Sequence, residues 1–579
     1  MLGMGKLSLL SLLGSRMYYL QISESEKYKT LSDSNHIRLL PVPPKRGLIV
    51  DRNNNILALN KINYRVLLTK ENNEHLELTI KKLVELLELR GDEKEDFEQK
   101  ILSQKKQSTV MLFDNLTWRD LSVIELNIPD LPGVYVEVGQ IRYYPYNISC
   151  AHLIGYVGTV GKDEIRNEAV IYHPDYKIGK NGVEKFFDER LQGVAGYKQV
   201  EVDAYGYNVR ELSFNESIPG EDIPLGLNIK IQDLIYNNIL EGKDAAVVAM
   251  DIHTGEILAM CSTPSFDPNK FTQGISKDYW QKLTNNKHLP LINKTISQQY
   301  PPGSVFKTVA ALAAVESGID PNMRVECNGG MYVGNHKFHC WKHEGHGALN
   351  LEQAIQHSCN IYFYNIVKRI GFDKISEVAK QLGLGDRINI GLIGEVAGII
   401  PNREWKKKKL KQEWHLGDSI ICGIGHGYVN VTPLQLAVMT ARIASGKKVI
   451  PRLTVPSEVY EFEDLNFNEK SLITVRNGMD MVVNQPGGTV YRHRSEDPRY
   501  NYAAKTGTGQ VIGIKHDSKG KALNENLSWE TSHHGICIGY GPVINPRFAC
   551  ATVVEHGGSG AGSAAPVVKE VLLKLQQFS

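Results

Sequence analysis

The sequence predicts a multi-domain protein of the α/β class, in which a β-sheet flanked by helices stands on a mixed α+β N-terminal domain. Its 579 residues exceed the roughly 100 to 200 residues of one ordinary domain. Apolar segments typical of strands lie near both ends of the C-terminal part, at residues 245–260, 535–540 and 548–554, with helix-like sequence between them. One sheet assembled from such distant segments explains this pattern.

The composition indicates a folded protein and argues against nucleic acid as a partner. Hydrophobic residues make up 42% and charged residues 22% of the chain, close to the average of globular proteins. The 66 lysines and arginines nearly balance the 64 aspartates and glutamates, for a net charge of +2. The chain therefore lacks the excess of basic residues that binding to a nucleic-acid phosphate backbone favours. The eight cysteines are too sparse for a disulfide scaffold.

The first 20 residues form a candidate membrane anchor. Residues 7–20 are apolar apart from Arg16 and a few serines, and charged residues flank them. The run is shorter than the about 20 apolar residues that a spanning helix needs, so it is either part of a longer anchor that begins upstream or a weak anchor. Residues 18–21 make a poor cleavage site. We therefore expect an uncleaved anchor over residues 1–20, with a signal peptide or a buried amphipathic helix as the alternatives.

Residues 21–219 are expected to form a structural pedestal or dimerisation domain. Short strands are predicted at residues 64–69 and 133–138, and a charged helix pair at residues 76–102. No combination of residues in this part suggests catalysis. A linker that contains proline and glycine follows, and residues 220–579 form the predicted catalytic domain.

Ser304 and Lys307 are the first candidate catalytic pair. Ser304 opens a segment of helix-forming alanines that begins after a proline-rich entry and ends at a glycine. Three residues apart on a helix, the lysine amine can reach the serine hydroxyl and accept its proton. Ser-x-x-Lys also begins at Ser103, Ser445 and Ser518, so the motif is weak by itself. Only the pair Ser304 and Lys307 is followed by an apolar helix.

Two further motifs follow in the chain. Ser358 and Asn360 form a Ser-x-Asn motif between a helix-like segment and an aromatic run. Lys505, Thr506 and Gly507 follow a short apolar strand, so that a cation and a hydroxyl meet a glycine that lets a substrate backbone approach closely. Each motif alone is weak, whereas Ser-x-x-Lys, Ser-x-Asn and Lys-Thr-Gly in this order are typical of class A β-lactamases and penicillin-binding proteins.

On these motifs the sequence resembles the class B penicillin-binding proteins, and among them the elongation transpeptidases known as penicillin-binding proteins 2. The resemblance spans nearly the whole chain. Besides the motifs, it is carried by residues 44–52, 57–60, 142–145, 152–158, 182–184 and 432–436. It implies the fold of the penicillin-recognising serine transpeptidases. It also implies a peptidoglycan D,D-transpeptidase, inhibited by β-lactams, that cross-links stem peptides during cell elongation through a serine acyl-enzyme.

The resemblance further implies a role for each candidate catalytic residue. Ser304 would attack the carbonyl group of the D-Ala-D-Ala bond, with Lys307 as the base. Ser358 would relay the proton to the leaving nitrogen, and Asn360 would hold the stem-peptide amide. A lowered pKa at Lys307 would follow from burial and from the neighbouring Lys505 cation.

Substrate binding is assigned to the third motif in the same way. Lys505 and Thr506 would bind the terminal carboxylate, and Gly507 and Thr508 would complete the substrate-binding strand. The backbone N–H groups of Ser304 and Thr508 would form the oxyanion hole. Penicillin would acylate the serine as a substrate mimic.

Two other functions stay open. A D,D-carboxypeptidase or a β-lactamase-type hydrolase would carry the same motifs and resolve the acyl-enzyme with water. A non-catalytic β-lactam sensor or scaffold would not need all three motifs intact. The predicted anchor and pedestal favour an enzyme of wall synthesis, since a free hydrolase needs neither.

By resemblance, one N-terminal anchor would hold the enzyme at the bacterial inner membrane, with its catalytic domain in the periplasm. Its substrates would be peptidoglycan stem peptides and the lipid-linked precursor, and β-lactam antibiotics would bind in their place. Its protein partners would be a SEDS-family glycan polymerase and other proteins of the elongation complex.

Three cysteines and a histidine occur close together between the first two motifs. Cys327, Cys340, His346 and Cys359 supply thiolate and imidazole ligands at four positions, which suits tetrahedral zinc. A disulfide between Cys327 and Cys340 or unpaired thiols are the alternatives. Similar penicillin-binding proteins carry a metal near the active site with mixed Asp, His and Cys ligands, which favours zinc. Since Cys359 lies within the Ser-x-Asn motif, we expect a structural zinc, closed to substrate, that fixes this loop; no organic cofactor is expected.

Two other patterns have simpler interpretations. The glycines of residues 423–427 lack the spacing and the context of a phosphate loop, so we expect a turn beside the cleft. The four lysines of residues 406–409 are expected to lie in a solvated loop. Contact of these lysines with an anionic glycan or a lipid headgroup is the alternative.

Overall fold

The computed structural model of this chain describes residues 37–578 with internal gaps, together with residues 11, 13–19 and 22. The gaps are residues 70–75, 90, 92–93, 96, 98–100, 102–108, 115, 165–172, 174, 203–207, 459–460 and 514–527. More than half of the predicted anchor and part of the predicted helix pair therefore lie outside the described residues. Residues 13–19 of the predicted anchor are helical and exposed. Along the described residues, every helix is too short or too polar to span a membrane.

The N-terminal part combines small sheets with short helices. Its described strands are β1 (Ile37–Val42), β2 (Ile49–Val50), β3 (Ile56–Thr69), β4 (Thr109–Phe113), β5 (Val134–Tyr143), β6 (Val157–Gly158), β7 (Ile178–Gly179), β8 (Gly196–Val202), β9 (Asn208–Asn215) and β10 (Ile223–Pro224). Its described helices are α1 (Leu76–Leu86), α2 (Trp118–Asn127), α3 (Ala151–Ile154), α4 (Gly182–Phe186) and α5 (Asp188–Gln192).

The pairing of these strands confirms the mixed α+β pedestal. One sheet has the order β1-β8-β9, and the larger sheet has the order β10-β2-β3-β4, with β5 also paired to β3. The strands predicted at residues 64–69 and 133–138 are the end of β3 and the start of β5, which run antiparallel to each other. After the predicted linker, β10 pairs in parallel with β2, so the pedestal sheet includes residues just beyond 219.

A buried ionic network joins the segments of the pedestal on which the family resemblance rests. Glu184, on α4, is fully buried and accepts hydrogen bonds from Arg46 Nε and Arg142 Nε, both at 2.7 Å. Arg46 also donates to Asp188 Oδ1 at 2.8 Å. A buried carboxylate is tolerated only when it is paired and hydrogen-bonded, and two guanidinium groups meet that need here.

The C-terminal part is built around one five-stranded sheet. The strands of this part of the chain are β11 (Ala245–Asp251), β12 (Ile257–Thr263), β13 (Val325–Cys327), β14 (Gly330–Val333), β15 (His336–His339), β16 (Gly347–Leu349), β17 (Ala503–Gly509), β18 (His534–Gly541) and β19 (Phe548–Val554). The sheet consists of β11, β12, β17, β18 and β19, and the other four strands form two short pairs. The helices of this part of the chain are α6 (Ile229–Leu234), α7 (Pro268–Thr272), α8 (Lys277–Thr284), α9 (Lys294–Ser297), α10 (Lys307–Glu316), α11 (Leu351–Gln356), α12 (Asn360–Gln381), α13 (Arg403–Leu410), α14 (Leu416–Cys422), α15 (Pro433–Ser445), α16 (Glu469–Asn484) and α17 (Ala565–Gln577).

The prediction of one sheet from both ends of the domain is confirmed. The strand order is β12-β11-β19-β18-β17, and all neighbours are antiparallel. Every residue of β11, β12 and β19 is buried, so helices must cover both faces of the sheet. The edge strand β17 carries the Lys-Thr-Gly motif. One continuous apolar core extends from Ile49 and Leu57 of the pedestal into this domain.

The lysine run is a helix, so the prediction of a loop is wrong. Asn402 caps α13, because its Oδ1 accepts the N–H of Trp405 at 2.7 Å. Lys411, in the left-handed conformation, ends it. Lys406 is buried on this helix. Tertiary packing stabilises this helix, because most of its residues are polar and offer little apolar surface of their own.

Candidate active site

Ser304 lies in a tight 3₁₀ turn that leads directly into α10. Gly303 has a φ of +56° and donates its N–H to the Gly425 carbonyl oxygen at 2.9 Å. A Cβ at Gly303 would lie 2.5 Å from the Thr508 carbonyl oxygen, so only glycine fits. The turn is held between β17 and the predicted glycine-rich turn, and the prediction that Ser304 opens a helix is confirmed.

Lys307 is fully buried one turn after the serine. Its amine donates to the Ser358 carbonyl oxygen at 2.8 Å, to Asn360 Oδ1 at 2.6 Å and to Ser358 Oγ at 3.3 Å. Three acceptors match the three N–H groups of the ammonium form, and the Ser304 hydroxyl is not among them. Burial lowers the pKa of Lys307 to about 8. The first two motifs therefore meet at this amine.

Lys505 reaches the same hydroxyl from the edge strand β17. It is fully buried, and its amine donates to Ser358 Oγ at 3.0 Å and to the Thr506 carbonyl oxygen at 3.1 Å. Burial lowers the pKa of Lys505 well below its ordinary value, and the positive charge of Lys307 lowers it further. The charge of the neighbouring lysine therefore lowers the pKa of Lys505, whereas burial is the main cause of the lowered pKa of Lys307.

Ser358 is the centre of the network, since it contacts both lysine amines. Its backbone is left-handed, with a φ of +53°, a conformation that needs support from its surroundings. The Trp341 indole supplies some of it by donating to the carbonyl oxygens of Ser358 and His357 at 3.2 and 3.1 Å. The sequence prediction missed this tryptophan, although its position directly after Cys340 was a usable signal.

The rest of the third motif lines up along β17. The Thr506 hydroxyl lies 3.0 Å from the hydroxyl of Thr489, a residue that the sequence prediction missed because it belongs to no motif. A Cβ at Gly507 would lie 2.4 Å from the Pro302 carbonyl oxygen, so the glycine lets the strand pack directly on the serine turn. Thr508 is only partly buried. The three motifs therefore form one site, in which the Ser358 hydroxyl contacts two buried lysine amines.

The four predicted metal ligands are close together beside this network. One ligand atom from each of Cys327, Cys340, His346 and Cys359 lies within 4.8 Å of all the others. His346 Nδ1 is 3.5 Å from Cys327 Sγ and 3.6 Å from Cys340 Sγ. All three cysteines are buried. Cys359 is the residue just before α12, so the cluster directly adjoins the Ser-x-Asn motif.

None of the chain's eight cysteines forms a disulfide. All eight lie within the described residues, and all are buried. The structure therefore contains no disulfide between Cys327 and Cys340, which was one of the alternatives to a metal site. The remaining five cysteines lie among apolar residues, as small buried hydrophobes do.

Two family models match this chain. The model of the penicillin-binding protein transpeptidase domain matches residues 245–573, which include all three motifs. The chain belongs to the penicillin-binding proteins. The model of the penicillin-binding protein dimerisation domain matches residues 41–225, as expected of a class B penicillin-binding protein with a pedestal.

Relatives of known name agree with this family. The penicillin-binding protein is 36% identical to the peptidoglycan D,D-transpeptidase MrdA of Acinetobacter baumannii, over 97% of this chain and 86% of that protein. It is 32% identical to MrdA of Escherichia coli K12, over 96% and 90% of the two chains. These matches confirm the predicted resemblance to the elongation transpeptidases.

Solved structures show the same architecture. The penicillin-binding protein PBP2 of Helicobacter pylori, in complex with MreC, superposes with a TM-score of 0.83 at 29% identity, over 94% of this chain and 99% of that one. PBP2 of Pseudomonas aeruginosa, in complex with WCK 5153, superposes with a TM-score of 0.68 at 30% identity, over 92% and 96%. The predicted fold class is therefore confirmed.

Proposed function

We propose that this peptidoglycan D,D-transpeptidase uses Ser304 as its nucleophile and Lys307 as its base. The observation that carries the proposal is the convergence of both lysine amines on the Ser358 hydroxyl, with Lys307 one helical turn after Ser304. Ser304 is partly exposed. A nucleophile followed by a base, with the base oriented by further groups, is the arrangement that serine acyl transfer requires.

Acylation begins when the neutral amine of Lys307 takes the proton from the Ser304 hydroxyl. With a pKa of about 8, roughly a tenth of the enzyme has this amine neutral at pH 7. The serine oxygen then bonds to the carbonyl carbon of the penultimate D-alanine. The backbone N–H groups of Ser304 and Thr508 stabilise the oxyanion. The C–N bond breaks, the leaving nitrogen receives its proton through Ser358, and D-alanine departs.

Lys505 and Thr506 bind the terminal carboxylate of the donor peptide. A carboxylate beside Lys505 would raise the pKa of this amine and favour its charged form, which offsets the effect of burial. Thr489 supports the Thr506 hydroxyl from behind. Asn360 holds the stem-peptide amide while its Oδ1 accepts from Lys307. An amine of a neighbouring stem peptide then attacks the acyl ester, forms the cross-link and releases the serine.

Turnover of a lipid-linked stem pentapeptide tests this function. We expect one D-alanine to be released for each cross-linked dimer, since an amine resolves the acyl-enzyme. Release of D-alanine and appearance of dimers are measured in the same reaction. Release without dimers would identify a carboxypeptidase-type hydrolase, and no release with intact penicillin binding would identify a sensor or scaffold.

A structural zinc ion fits the cluster next to the catalytic loop. Three buried thiols and one imidazole, whose ligand atoms all lie within 4.8 Å of one another, form a donor set that zinc prefers. Cys327, Cys340, His346 and Cys359 would hold the ion, which would supply only rigidity because four protein ligands leave no position for substrate. Cys359 would then fix the loop between Ser358 and Asn360.

We expect the purified wild-type protein to contain about one zinc ion per chain and the Cys340→Ser variant to contain far less. Penicillin acylation by that variant should be slowed between about 10- and 100-fold, because a small displacement of the Ser-x-Asn loop misplaces the proton path. Metal analysis by mass spectrometry gives the stoichiometry. Cys150→Ser, at a buried cysteine in the pedestal, is the matched control and should retain zinc. Zinc that survives Cys340→Ser and His346→Ala would refute these ligands.

We also propose that an N-terminal anchor retains the enzyme at the inner membrane, with the catalytic domain in the periplasm and a SEDS-family glycan polymerase as partner. Two solved relatives are themselves parts of protein complexes, which supports a protein partner for this enzyme. One is PBP2 in complex with MreC, and the other belongs to a peptidoglycan synthase complex that coordinates polymerization and crosslinking, with a TM-score of 0.72 at 27% identity.

A further inference from the structure

Helix α13 concentrates positive charge in a chain that is otherwise balanced. Residues 403–411 contain six lysines and arginines but only one acidic residue, whereas the whole chain has 66 basic and 64 acidic residues. This excess is local and lies in the catalytic domain. Its possible functions depend on which of the cations are already paired.

One lysine of the run attaches the helix to the domain. Lys406 is buried, and its amine donates to Asp418 Oδ2 at 2.6 Å and lies 5.6 Å from the centre of the Tyr428 ring. The Trp405 ring packs on the same tyrosine, with 5.4 Å between ring centres. Asp418 also accepts the N–H of His415 at 2.7 Å. The helix is therefore held firmly, and the other lysines project from a fixed support.

Among the residues that the structure describes, three of the remaining lysines have no counter-ion. Lys407 and Arg403 form only exposed ion pairs, at 3.3 and 3.7 Å, which are worth little in solution. Lys408, Lys409 and Lys411 are exposed, and in the described part of the chain no carboxylate lies within 4.0 Å of their amines. We call these three residues the lysine face.

The helix that carries the lysine face is linked by contacts to the residue before the nucleophile. Trp405, on the same helix, packs on Tyr428, and Tyr428 ends the glycine-rich turn. In that turn, the Gly425 carbonyl oxygen accepts the N–H of Gly303, the residue just before Ser304. A Cβ at Gly425 would lie 2.3 Å from the Gly303 carbonyl oxygen. A chain of contacts therefore joins helix α13 to the serine turn.

We propose that the lysine face binds the free carboxylates of uncross-linked peptidoglycan strands. The proposal rests on the proposed function, in which each uncross-linked stem peptide ends in a carboxylate. Lys505 and Thr506 bind only the donor terminus, so the carboxylates of neighbouring stems on the same or the acceptor strand need other cations. A strand is then held near Ser304 by a second, sequence-independent attraction.

The kind of cation suits such a ligand. Lysine amines on flexible stems are point charges that tolerate variable spacing, whereas arginine favours one fixed bidentate geometry. The attraction between exposed charges decays over about 8 Å at physiological ionic strength, so only a ligand close to the lysine face is affected. An anionic lipid surface carries the same charge, but the helix that carries the lysine face is joined through Tyr428 and the glycine-rich turn to the serine turn, where a strand has to pass.

The test uses the full-length chain with its lysines replaced by glutamine, Lys408→Gln, Lys409→Gln and Lys411→Gln together. We expect its affinity for purified uncross-linked strands to fall about five- to tenfold, as three exposed charge contacts of this kind predict. The affinity of the wild type should fall with added salt, and the variant should show a weaker salt dependence. Co-sedimentation with the strands measures both. Thermal unfolding checks that the variant is folded.

Two controls make the outcome specific. Lys368→Gln, Lys380→Gln and Lys470→Gln together remove three other exposed lysines of the same domain and should leave strand binding unchanged. Strands whose carboxylates have been converted to amides should bind the wild type and the lysine-face variant with nearly equal affinity, because the contact with Lys505 is lost in both cases.

The proposal fails if both triple variants bind strands equally well or if amidation has no effect. It also fails if the lysine-face variant loses binding only to vesicles that contain anionic phospholipid, since a lipid surface would then be the ligand. Labelling of the wild type by fluorescent penicillin separates these results from a failure of the proposed function, because an inactive site would abolish labelling whether or not strands bind.

Discussion

Replacing Ser304 with alanine is expected to abolish the covalent adduct with penicillin, with a loss of acylation of at least about 10⁴-fold. The serine hydroxyl is the only nucleophile that the proposed mechanism places in front of the Lys307 amine, so its removal leaves nothing to bond to the β-lactam carbonyl carbon. The measurement is labelling with a fluorescent penicillin, followed by electrophoresis of the denatured protein, in which only a covalent adduct survives.

Ser445→Ala is the matched control, because Ser445 begins another Ser-x-x-Lys motif within the described residues. Its hydroxyl donates to the Ala441 carbonyl oxygen inside α15 at 2.8 Å and takes no part in the lysine network. This variant should be labelled at the rate of the wild type. A Ser304→Ala protein that still forms the adduct would eliminate Ser304 as the nucleophile.

The grouping of the candidate catalytic residues was predictable from the sequence, because each motif combines short-range geometry with a chemical requirement. Ser304 and Lys307 are related by one helical turn, and Ser358 and Asn360 by one tight loop. The sequence also predicted that strands 245–260 and 535–554 share a sheet. The position of β17 at the sheet's edge, which sets Lys505 opposite Ser358, depends on long-range strand pairing that no local pattern encodes.

Residues that act only through tertiary contacts escaped prediction. Thr489 and Trp341 support Thr506 and Ser358, yet neither belongs to one of the three catalytic motifs. The same limit explains the error at the lysine run, where the burial of Lys406 depends on a carboxylate twelve residues away on α14. The cause of the lowered pKa at Lys307 was also misjudged in part, since burial dominates there and burial is a property of the folded core.

Replacing Lys307 with arginine or methionine is expected to slow acylation by about 10² to 10⁴-fold, the usual range for loss of a general base. Arginine keeps the positive charge but does not give up its proton, so it separates loss of the base from loss of the charge. Both variants should still fold, which thermal unfolding checks. An arginine variant that retains more than about a tenth of the wild-type rate would contradict the role of Lys307 as base.

The pH dependence of acylation should carry the signature of the same amine. Burial lowers the pKa of Lys307 to about 8, so its neutral, basic form increases about tenfold per pH unit below that value and saturates above it. The acylation rate at saturating penicillin should therefore rise with pH and level off near 8, whereas a lysine with its ordinary pKa would keep the rate rising to about 10. Stopped-flow measurements between pH 6 and 10 test this. Because Lys505 is also buried, the Lys505→Arg variant shows which lysine sets the midpoint of the pH profile. If the midpoint stays near pH 8 in that variant, it belongs to Lys307. If the midpoint disappears, the base is Lys505.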